Sequence, residues 1–424
     1  MKFEPQMHTL PNGLTVFLDP MDLETTNVKV QFRTGSHDEQ PHEYGITHFC
    51  EHMLGKGTTR FPTKKSIDEH IEYHGGTRNA STGNVCMNLY GRIIGRNTGV
   101  LIDFFGDVLQ NSLFDPAKID IERRVICDEL RRAMDDTNRQ MAEFTSQKLF
   151  NGDMGAYRTL GSVENIMSFS RDQMLEFMAR RLSTRNCVVA VSGQIADTNA
   201  ILQQITDTFA FLPTHPVSSY CDYKYTPAVA HNSQPEKKNV KLRIVFPGQI
   251  ENTFQNMYAD MCISRFEMLL QKNLSQILRQ ENGLVYGFNM CALGMPELYL
   301  NGFETSTSVE NLPTVVSLIA RNAHKFYQDT PIDDADLDRI HRKMELSDAD
   351  FLESAGSRSR TLIGHYYDYN RLYDRNHILS LRNQINVSDI IKYSRGYFDG
   401  PMSIITQGAD YDFDLAGIWR ENFN

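Results

Sequence analysis

Two histidines and a glutamate within one five-residue run are the residues of this chain best suited to chemistry. In His48-Phe49-Cys50-Glu51-His52 the histidines are four residues apart. If the segment from Tyr44 to Leu54 is helical, His48 and His52 lie one turn apart on one face, and both imidazoles can reach one zinc ion. Glu51 lies near that face without having to ligate, so its carboxylate could take a proton from a zinc-bound water and return it to a leaving amine. The run predicts a hydrolytic metal site, although a solvated helix face rich in His and Glu is the alternative.

A catalytic zinc needs a third protein ligand and an open position. A helix expected to begin near Pro116 offers Glu122 and Glu129, which are seven residues apart and so share one face. One of these carboxylates could ligate the metal while the other forms a hydrogen bond that supports a metal ligand. The residues alone leave open which of the two ligates, and whether this is an ordinary charged helix face.

The elements that must position these side chains are interleaved strands and helices. The chain has 424 residues, of which 41% are hydrophobic and 23% charged, as in globular proteins of two or three domains. Val28, Val30 and Phe32 alternate with polar residues and predict a half-buried strand, whereas apolar residues recur at helical spacing between positions 97 and 113. This pattern favours an α+β fold.

Two pairs of segments indicate that the fold is duplicated. The segment 119–123 resembles the segment 335–339, with an offset of 339 − 123 = 216, and the glycines Gly193 and Gly408 that end two apolar strands are offset by 408 − 193 = 215. A Pro-, Ser- and Lys-rich stretch separates the two copies. We therefore expect a first domain at residues 1–215, a linker at 216–238 and a homologous second domain at 239–424.

Charge and cysteine usage limit the partners and the compartment. The formal net charge of -10 disfavours nucleic acid and anionic membrane surfaces as partners and favours basic peptides. No apolar run approaches the roughly 18 residues of a membrane span. The seven cysteines are scattered without CxxC spacing, which suits a reducing compartment. We expect a cytoplasmic protein, and a mature organellar matrix protein would look the same.

The residues around the histidines also carry a family resemblance. The run from His48 to Thr58, with its H-x-x-E-H order, resembles the signature of the M16 zinc peptidases, the inverzincin group of insulin-degrading enzyme, pitrilysin and the mitochondrial processing peptidases. In that family the third zinc ligand is a Glu at about this distance beyond the second histidine, and 129 − 52 = 77 residues lead to Glu129. Glu122 falls on the supporting acidic position of the family's active site.

The resemblance implies two LuxS/M16-like domains, each a mixed, mostly antiparallel sheet packed with helices, of which the second is an inactive copy. Shifting His48 and His52 by 216 or 217 positions gives Ser264 or Arg265 and Met268 or Leu269, none of which is a strong zinc ligand. One Zn²⁺ per chain is therefore expected.

Two further segments acquire roles only through the resemblance. Arg279 and Tyr286 match the family's Arg/Tyr segment, which faces the zinc and binds the substrate carbonyl; a helix-end Arg and a core Tyr are the alternative. Asn79, Ala80 and Ser81 resemble the edge strand that binds the substrate backbone, where a plain turn is the alternative.

The resemblance implies a zinc-dependent endopeptidase that hydrolyses unfolded peptides in a closed chamber, with water activated by Glu51. A two-domain chain of this family needs a second subunit to close the chamber, so we expect a homodimer and leave a heterodimer open. The alternative function is a non-catalytic or partner-dependent subunit of a processing-peptidase-like heterodimer. Cys50 and Cys127 lie near the metal-binding segments, but buried cysteines of this kind are usually inert.

Overall fold

The chain folds into two compact units, each drawn from separate parts of the sequence. The computed structural model describes residues 2–150, 159–217, 224–248, 256–295, 298–329 and 331–423. The first unit comprises residues 1–136, 153–222 and 348–373, and the second comprises residues 137–152, 223–347 and 374–424. Each unit contains one β-sheet and its own apolar core.

A six-stranded sheet forms the centre of the first unit. Its strands are β1 (Gln6–Thr9), β2 (Thr15–Pro20), β3 (Thr25–Phe32), β4 (Gly76–Thr82), β5 (Met87–Ile94) and β6 (Cys187–Gly193). They lie in the order β1-β2-β6-β3-β5-β4; β2 and β6 pair in parallel, and the other neighbours pair antiparallel. In β3, Val28, Val30 and Phe32 are buried and alternate with more exposed residues, which is the pattern of a half-buried strand.

A five-stranded sheet forms the centre of the second unit. Its strands are β7 (Val229–Ser233), β8 (Asn239–Pro247), β9 (Phe288–Met295), β10 (Leu298–Ser308) and β11 (Ser403–Gly408). They lie in the order β7-β11-β8-β10-β9, and β7 and β11 pair in parallel.

Fifteen α-helices occur in the described part of the chain, and none of them is long and apolar enough to span a membrane. They are α1 (Ile46–Leu54), α2 (Lys64–Tyr73), α3 (Thr98–Asn111), α4 (Pro116–Asp135), α5 (Thr137–Leu149), α6 (Val163–Ser168), α7 (Arg171–Arg181), α8 (Thr198–Thr208), α9 (Met257–Ser275), α10 (Leu312–Asp329), α11 (Asp334–Glu353), α12 (Ala355–Tyr369), α13 (Arg375–Gln384), α14 (Val387–Ser394) and α15 (Leu415–Asn422).

The two sheets share one topology, which confirms the predicted duplicated α+β fold. The order β2-β6-β3-β5-β4 in the first unit corresponds strand by strand to β7-β11-β8-β10-β9 in the second. Gly193 and Gly408 end the corresponding strands β6 and β11 with φ of +131° and +138°. A Cβ at Gly193 would lie 2.3 Å from the Thr25 carbonyl oxygen, and one at Gly408 would lie 2.1 Å from that of Asn239, so only glycine fits either position.

The units differ from the expected continuous domains 1–215 and 239–424 at two helices. Helix α5 belongs to the second unit, where it packs against β7 and β11, and α12 belongs to the first unit, where it packs against β2, β3 and β6. Strand β7 lies within the expected linker 216–238, of which residues 218–223 are outside the described residues. An amphipathic pattern in the sequence predicts that a helix has an apolar face. Long-range packing decides which of the two sheets that face contacts.

Helix α12 covers the face of the first sheet that points away from the main core. Phe17, Val188 and Ala190 on the sheet pack against Leu362 and Ile363 on the helix. Neighbouring residues on the same strands, such as Val16 and Val189, point into the main core, because successive side chains of a strand point to opposite faces.

A buried ion pair fastens α12 to this sheet. The side chains of Asp19 on β2 and Arg358 on α12 are both 0% exposed. Arg358 Nε donates a hydrogen bond to Asp19 Oδ2 at 2.6 Å, and Arg358 Nη2 donates to Oδ1. Burial raises the pKa of Asp19, and the Arg358 guanidinium opposes that rise. Each charge therefore depends on the other, because an unpaired ion would be costly at this depth.

Replacing Arg358 with Met should lower the free energy of unfolding by about 3–5 kcal/mol, because Asp19 would be left buried without its counter-ion. Urea denaturation followed by circular dichroism measures this loss. Arg360→Met, an exposed position on the same helix, is the matched control and should change the free energy by no more than about 0.5 kcal/mol. Equal effects of the two substitutions would contradict a stabilising role for the ion pair.

Candidate metal centre

Helix α1 carries the two histidines, and a buried carboxylate fixes where it begins. Glu39 accepts hydrogen bonds from the backbone N–H of Gly45 at 2.8 Å and of Thr47 at 2.9 Å. These N–H groups have no partner within the helix, so the carboxylate satisfies donors that every helix leaves open at its first turn. Burial raises the pKa of Glu39 to about 8, against the effect of these hydrogen bonds. The start of α1 is thus held by a carboxylate that comes from outside the helix.

The apolar residues of α1 orient the histidines. Phe49, Cys50 and Met53 are buried in the core of the first unit. His48 and His52 stand one turn apart on another face of the helix, with ring centroids 4.6 Å from each other. Their spacing in the sequence thus brings the two imidazoles together, as the helical interpretation of residues 44–54 requires.

Glu129 on α4 completes a group of three possible metal ligands. Its Oε2 lies 3.8 Å from His48 Nε2 and 3.5 Å from His52 Nε2. One ligand atom from each of the three residues lies within 4.8 Å of the other two, and no other such group of His, Cys, Asp and Glu occurs in the described ranges. Two imidazoles and one carboxylate are the donor set of many catalytic zinc sites, so these residues fit the predicted metal.

Glu122, two turns before Glu129 on α4, contacts His52 rather than the group of ligand atoms. His52 Nδ1 donates a hydrogen bond to Glu122 Oε2 at 2.9 Å, and Lys56 Nζ lies 2.5 Å from Glu122 Oε1. Burial acts to raise the pKa of Glu122, but the hydrogen bonds from His52 and Lys56 outweigh it and lower the pKa below its usual value. The carboxylate can therefore orient the His52 ring and leave Nε2 available to a metal.

Glu51 lies beside this group and is held by a hydroxyl from the sheet. Thr82, the last residue of β4, donates a hydrogen bond to Glu51 Oε2 at 2.7 Å. Burial raises the pKa of Glu51, and the Thr82 hydrogen bond and the neighbouring His52 oppose this rise. Glu51 and His52 line a cavity of about 170 Å³ whose apolar wall includes Phe104 and Phe105. A carboxylate, candidate metal ligands and a space for a ligand thus meet at one place.

The segment with Asn79, Ala80 and Ser81 is a strand, and the alternative of a plain turn is excluded. It forms the middle of β4, which lies at the edge of the six-stranded sheet and pairs with β5 alone among the described strands. The outer backbone groups of an edge strand can pair with an extended peptide. Thr82, the last residue of β4, donates a hydrogen bond to Glu51, so this edge strand ends next to Glu51.

Arg279 and Tyr286 lie in the second unit, next to each other. Arg279 is part of a π-helical turn at Gln276–Glu281 that continues α9, and its guanidinium carbon lies 5.4 Å from the centroid of the Tyr286 ring. Tyr286 is 90% exposed, which excludes the alternative that it is a core side chain. Its exposure and the cation–π contact leave the phenol available to a ligand. The role of the pair in substrate binding stays a prediction.

The cysteines near the metal group are packed in the core. Cys50 and Cys127 are both buried, and burial raises the pKa of Cys50 well above its usual value. Since the thiolate is the reactive form, a redox role at Cys50 is disfavoured.

Three residues that hold this site were not among the sequence-based candidates. Lys56 could have been found, because it follows His52 by only four residues, just beyond the end of α1. Glu39 and Thr82 gave no comparable signal, because their contacts with Thr47 and Glu51 depend on how the loop and the sheet pack around α1.

Comparison with known proteins identifies the two parts of the chain. Residues 19–162 match the family described as "Insulinase (Peptidase family M16)", and residues 168–344 match "Peptidase M16 inactive domain". The residues of the metal group all lie within the first match. This agrees with the expectation that the second copy is inactive.

Individual relatives agree with this assignment. An uncharacterized zinc protease of Rickettsia bellii is 23% identical over 99% of this chain and 100% of its own length. The β subunit of the mitochondrial-processing peptidase of Dictyostelium discoideum is 31% identical, but over 51% of this chain and only 46% of its own length. A Pseudomonas fluorescens crystal structure titled as a peptidase M16 inactive domain has the same fold, with a TM-score of 0.81 at 16% identity over 96% of this chain and 98% of that one. The chain therefore belongs to the M16 family of zinc proteases.

Proposed function

We propose that this protein is a zinc-dependent endopeptidase that hydrolyses unfolded peptides. The observation that carries the proposal is the group formed by His48, His52 and Glu129 beside Glu51, with a cavity lined by Glu51 and His52. Relatives named zinc proteases support the same conclusion. The complete set of proposed ligands argues against a non-catalytic subunit, because a subunit without activity would have no need to keep its metal-binding residues.

His48, His52 and Glu129 would hold the metal, one Zn²⁺ per chain. When bound there, zinc supplies a Lewis acid that polarises the scissile carbonyl and makes a water molecule acidic enough to lose a proton near neutral pH. Glu122 keeps the His52 ring in place, because its Oε2 accepts a hydrogen bond from Nδ1 at an N···O distance of 2.9 Å.

Glu51 moves the proton of the reaction. Its carboxylate takes a proton from the attacking water and then returns it to the nitrogen of the leaving amine. The hydrogen bond from Thr82 to Oε2 fixes the orientation of the carboxylate and leaves Oε1 for the transferred proton. A base that is held in place before the reaction loses little rate to reorientation.

The substrate would bind as an added strand along β4. Backbone hydrogen bonds at residues 79–81 provide affinity without reading the sequence, and the cavity at Glu51 and His52 receives one side chain. Only an extended peptide can pair with an edge strand in this way, so folded proteins would be poor substrates. The net charge of -10 favours basic peptides.

Arg279 and Tyr286 are proposed to donate hydrogen bonds to the oxyanion that forms at the scissile carbonyl. We further propose a homodimer whose two chains close a chamber around the peptide. Similarity to a protein named as a peptidase subunit keeps a heterodimer as the second candidate, in which this chain acts only with a different partner.

Replacing Glu51 with Gln should lower the rate of peptide hydrolysis by about 10²- to 10⁴-fold, because the amide cannot accept the proton. Zinc content should stay unchanged, since Glu51 is not a proposed ligand. Mass spectrometry of a mixture of unfolded peptides, beside a chelator-treated sample, measures the products. Glu69→Gln on the exposed face of α2 is the control and should behave as the parent chain. Near-normal turnover of the Glu51 variant would remove Glu51 as the base.

Replacing Glu129 with Gln should weaken zinc binding more than replacing Glu122 does, because Glu129 is the proposed ligand. For Glu122→Gln we expect a loss of about 10- to 100-fold in affinity, as is typical of residues that orient a ligand. Zinc affinity is measured by competition with a chromophoric chelator. If the Glu129 variant retained parental affinity while the Glu122 variant lost it, the two assignments would have to be exchanged.

Mixing an inactive Glu51→Gln chain with an inactive Arg279→Ala chain should restore part of the activity. Recovery is expected because one mixed dimer would combine an intact metal centre with an intact Arg279 from its mate. Activity is followed with the same peptide mixture after the two chains have exchanged subunits. Failure to recover, with mixed dimers demonstrated by native mass spectrometry, would rule out sites shared between chains.

A further inference from the structure

The second unit has a cavity beside α9, the helix that corresponds to α1 of the first unit. The cavity has a volume of about 330 Å³ and lies between helices α9 and α11. Met268, Gln271 and Lys272 line it, and each lies 216 residues after a residue that lines the cavity of the first unit, namely His52, Gly55 and Lys56. The two cavities thus share three corresponding positions, and Met268 stands where the first unit has His52.

The walls of this cavity combine an apolar surface with an excess of positive charge. Met268, Leu269 and Ile340 provide the apolar part, and Leu269 and Ile340 are nearly buried, at 5% and 6% exposure. The charged part consists of three cations and one carboxylate, the side chains of Lys272, Arg339, Lys343 and Asp336.

The single carboxylate cannot neutralise the three cations. Lys272 Nζ lies 3.2 Å from Asp336 Oδ1, and Arg339 Nη2 binds the same oxygen. Burial acts to raise the pKa of Asp336, but these two partners outweigh it and lower the pKa. Lys343, one turn after Arg339 on α11, has no ion-pair partner in the described parts of the chain. Two positive charges thus remain for a ligand.

A buried cation adds to the positive potential between these two helices. Arg265 lies two turns before Lys272 on the same face of α9 and is 1% exposed. Its Nη1 donates to the Met261 carbonyl at 2.6 Å, but its Nε and Nη2 have no hydrogen-bond partner in the described structure. On α11, Nε2 of His341 is also buried without a partner. Buried donors without acceptors are costly, and a nearby anion would reduce that cost.

We propose that this cavity binds a carboxylate attached to an apolar group, and that its occupant is the carboxyl terminus of a peptide. Lys272, Arg339 and Lys343 take the carboxylate, and the apolar wall takes the last side chain. Charge complementarity selects an anion, and a cavity of this volume is large enough for a terminal residue. The site is separate from the metal centre and does not depend on whether the first unit is a peptidase.

The proposal is tested by calorimetric titration of the full chain with acetyl-Ala-Leu and with its carboxamide, both in the presence of a chelator so that hydrolysis cannot contribute. We expect the free carboxylate to bind at least 10-fold more tightly than the amide, with an affinity that falls as NaCl is raised. The double variant Lys272→Gln/Arg339→Gln should lose at least 10-fold in affinity for the carboxylate. Arg342→Gln, an exposed cation beside the cavity residues on α11, is the matched control and should bind as the parent does.

Equal affinities for the acid and the amide, or unchanged binding by the double variant, would overturn the proposal. Octanoate serves as a second probe. If octanoate bound more tightly than the peptide, the ligand would be a fatty acid and the proposed peptide carboxyl terminus would be wrong. If the double variant does not fold, as judged by circular dichroism, Lys343→Gln replaces it, and unchanged binding by that exposed substitution would equally refute the site.

Discussion

The hydrogen bond between His52 and Glu122 is the interaction on which the candidate metal centre depends. It joins α1, which supplies two imidazoles, to α4, which supplies the carboxylate of Glu129. With Nδ1 engaged by Glu122, the ring nitrogen of His52 that remains for a metal is Nε2, which lies 3.5 Å from Glu129 Oε2. Lys56 offsets the charge of Glu122, so a carboxylate that is 5% exposed can stay ionised. A shift of α4 by one turn would break this contact and carry Glu129 away from the histidines.

The sequence was sufficient to predict that His48, His52 and Glu129 come together, but not which residues hold them in place. His48 and His52 are related by helix geometry alone, and the resemblance selected Glu129 over Glu122 by its distance from His52. Contacts such as Thr82 to Glu51 join residues that are distant in the sequence, and no local pattern encodes them. The same holds for the fold. Strands β3, β6 and β11, helices α1, α3 and α4 and the duplication were predictable from periodicity and repeated segments. Strand β7 was not, and the exchange of α5 and α12 between the units follows from packing that no local pattern contains.

The two units show how one scaffold can carry different chemistry. Both have a cavity beside corresponding helices, α1 in the first unit and α9 in the second. In the first unit, the facing helix brings the acids Glu122 and Glu129 to two histidines. In the second, the facing helix brings Arg339 and Lys343 to an apolar wall. The backbone arrangement is retained, and the side chains at a few positions decide what each cavity can bind.

The position of α12 also has a consequence for the order of events during synthesis. The sheet of the first unit is complete once the ribosome has made β6, but its outer face, with Phe17, Val188 and Ala190, is covered only by residues 355–369. Most of the second unit is translated in that interval, and an apolar sheet face and the Asp19 carboxylate stay without their partners throughout it. A fragment ending at residue 215 would keep this face exposed permanently. The first unit is therefore complete only after residues 355–369 have been made, although most of its chain is synthesised before the second unit.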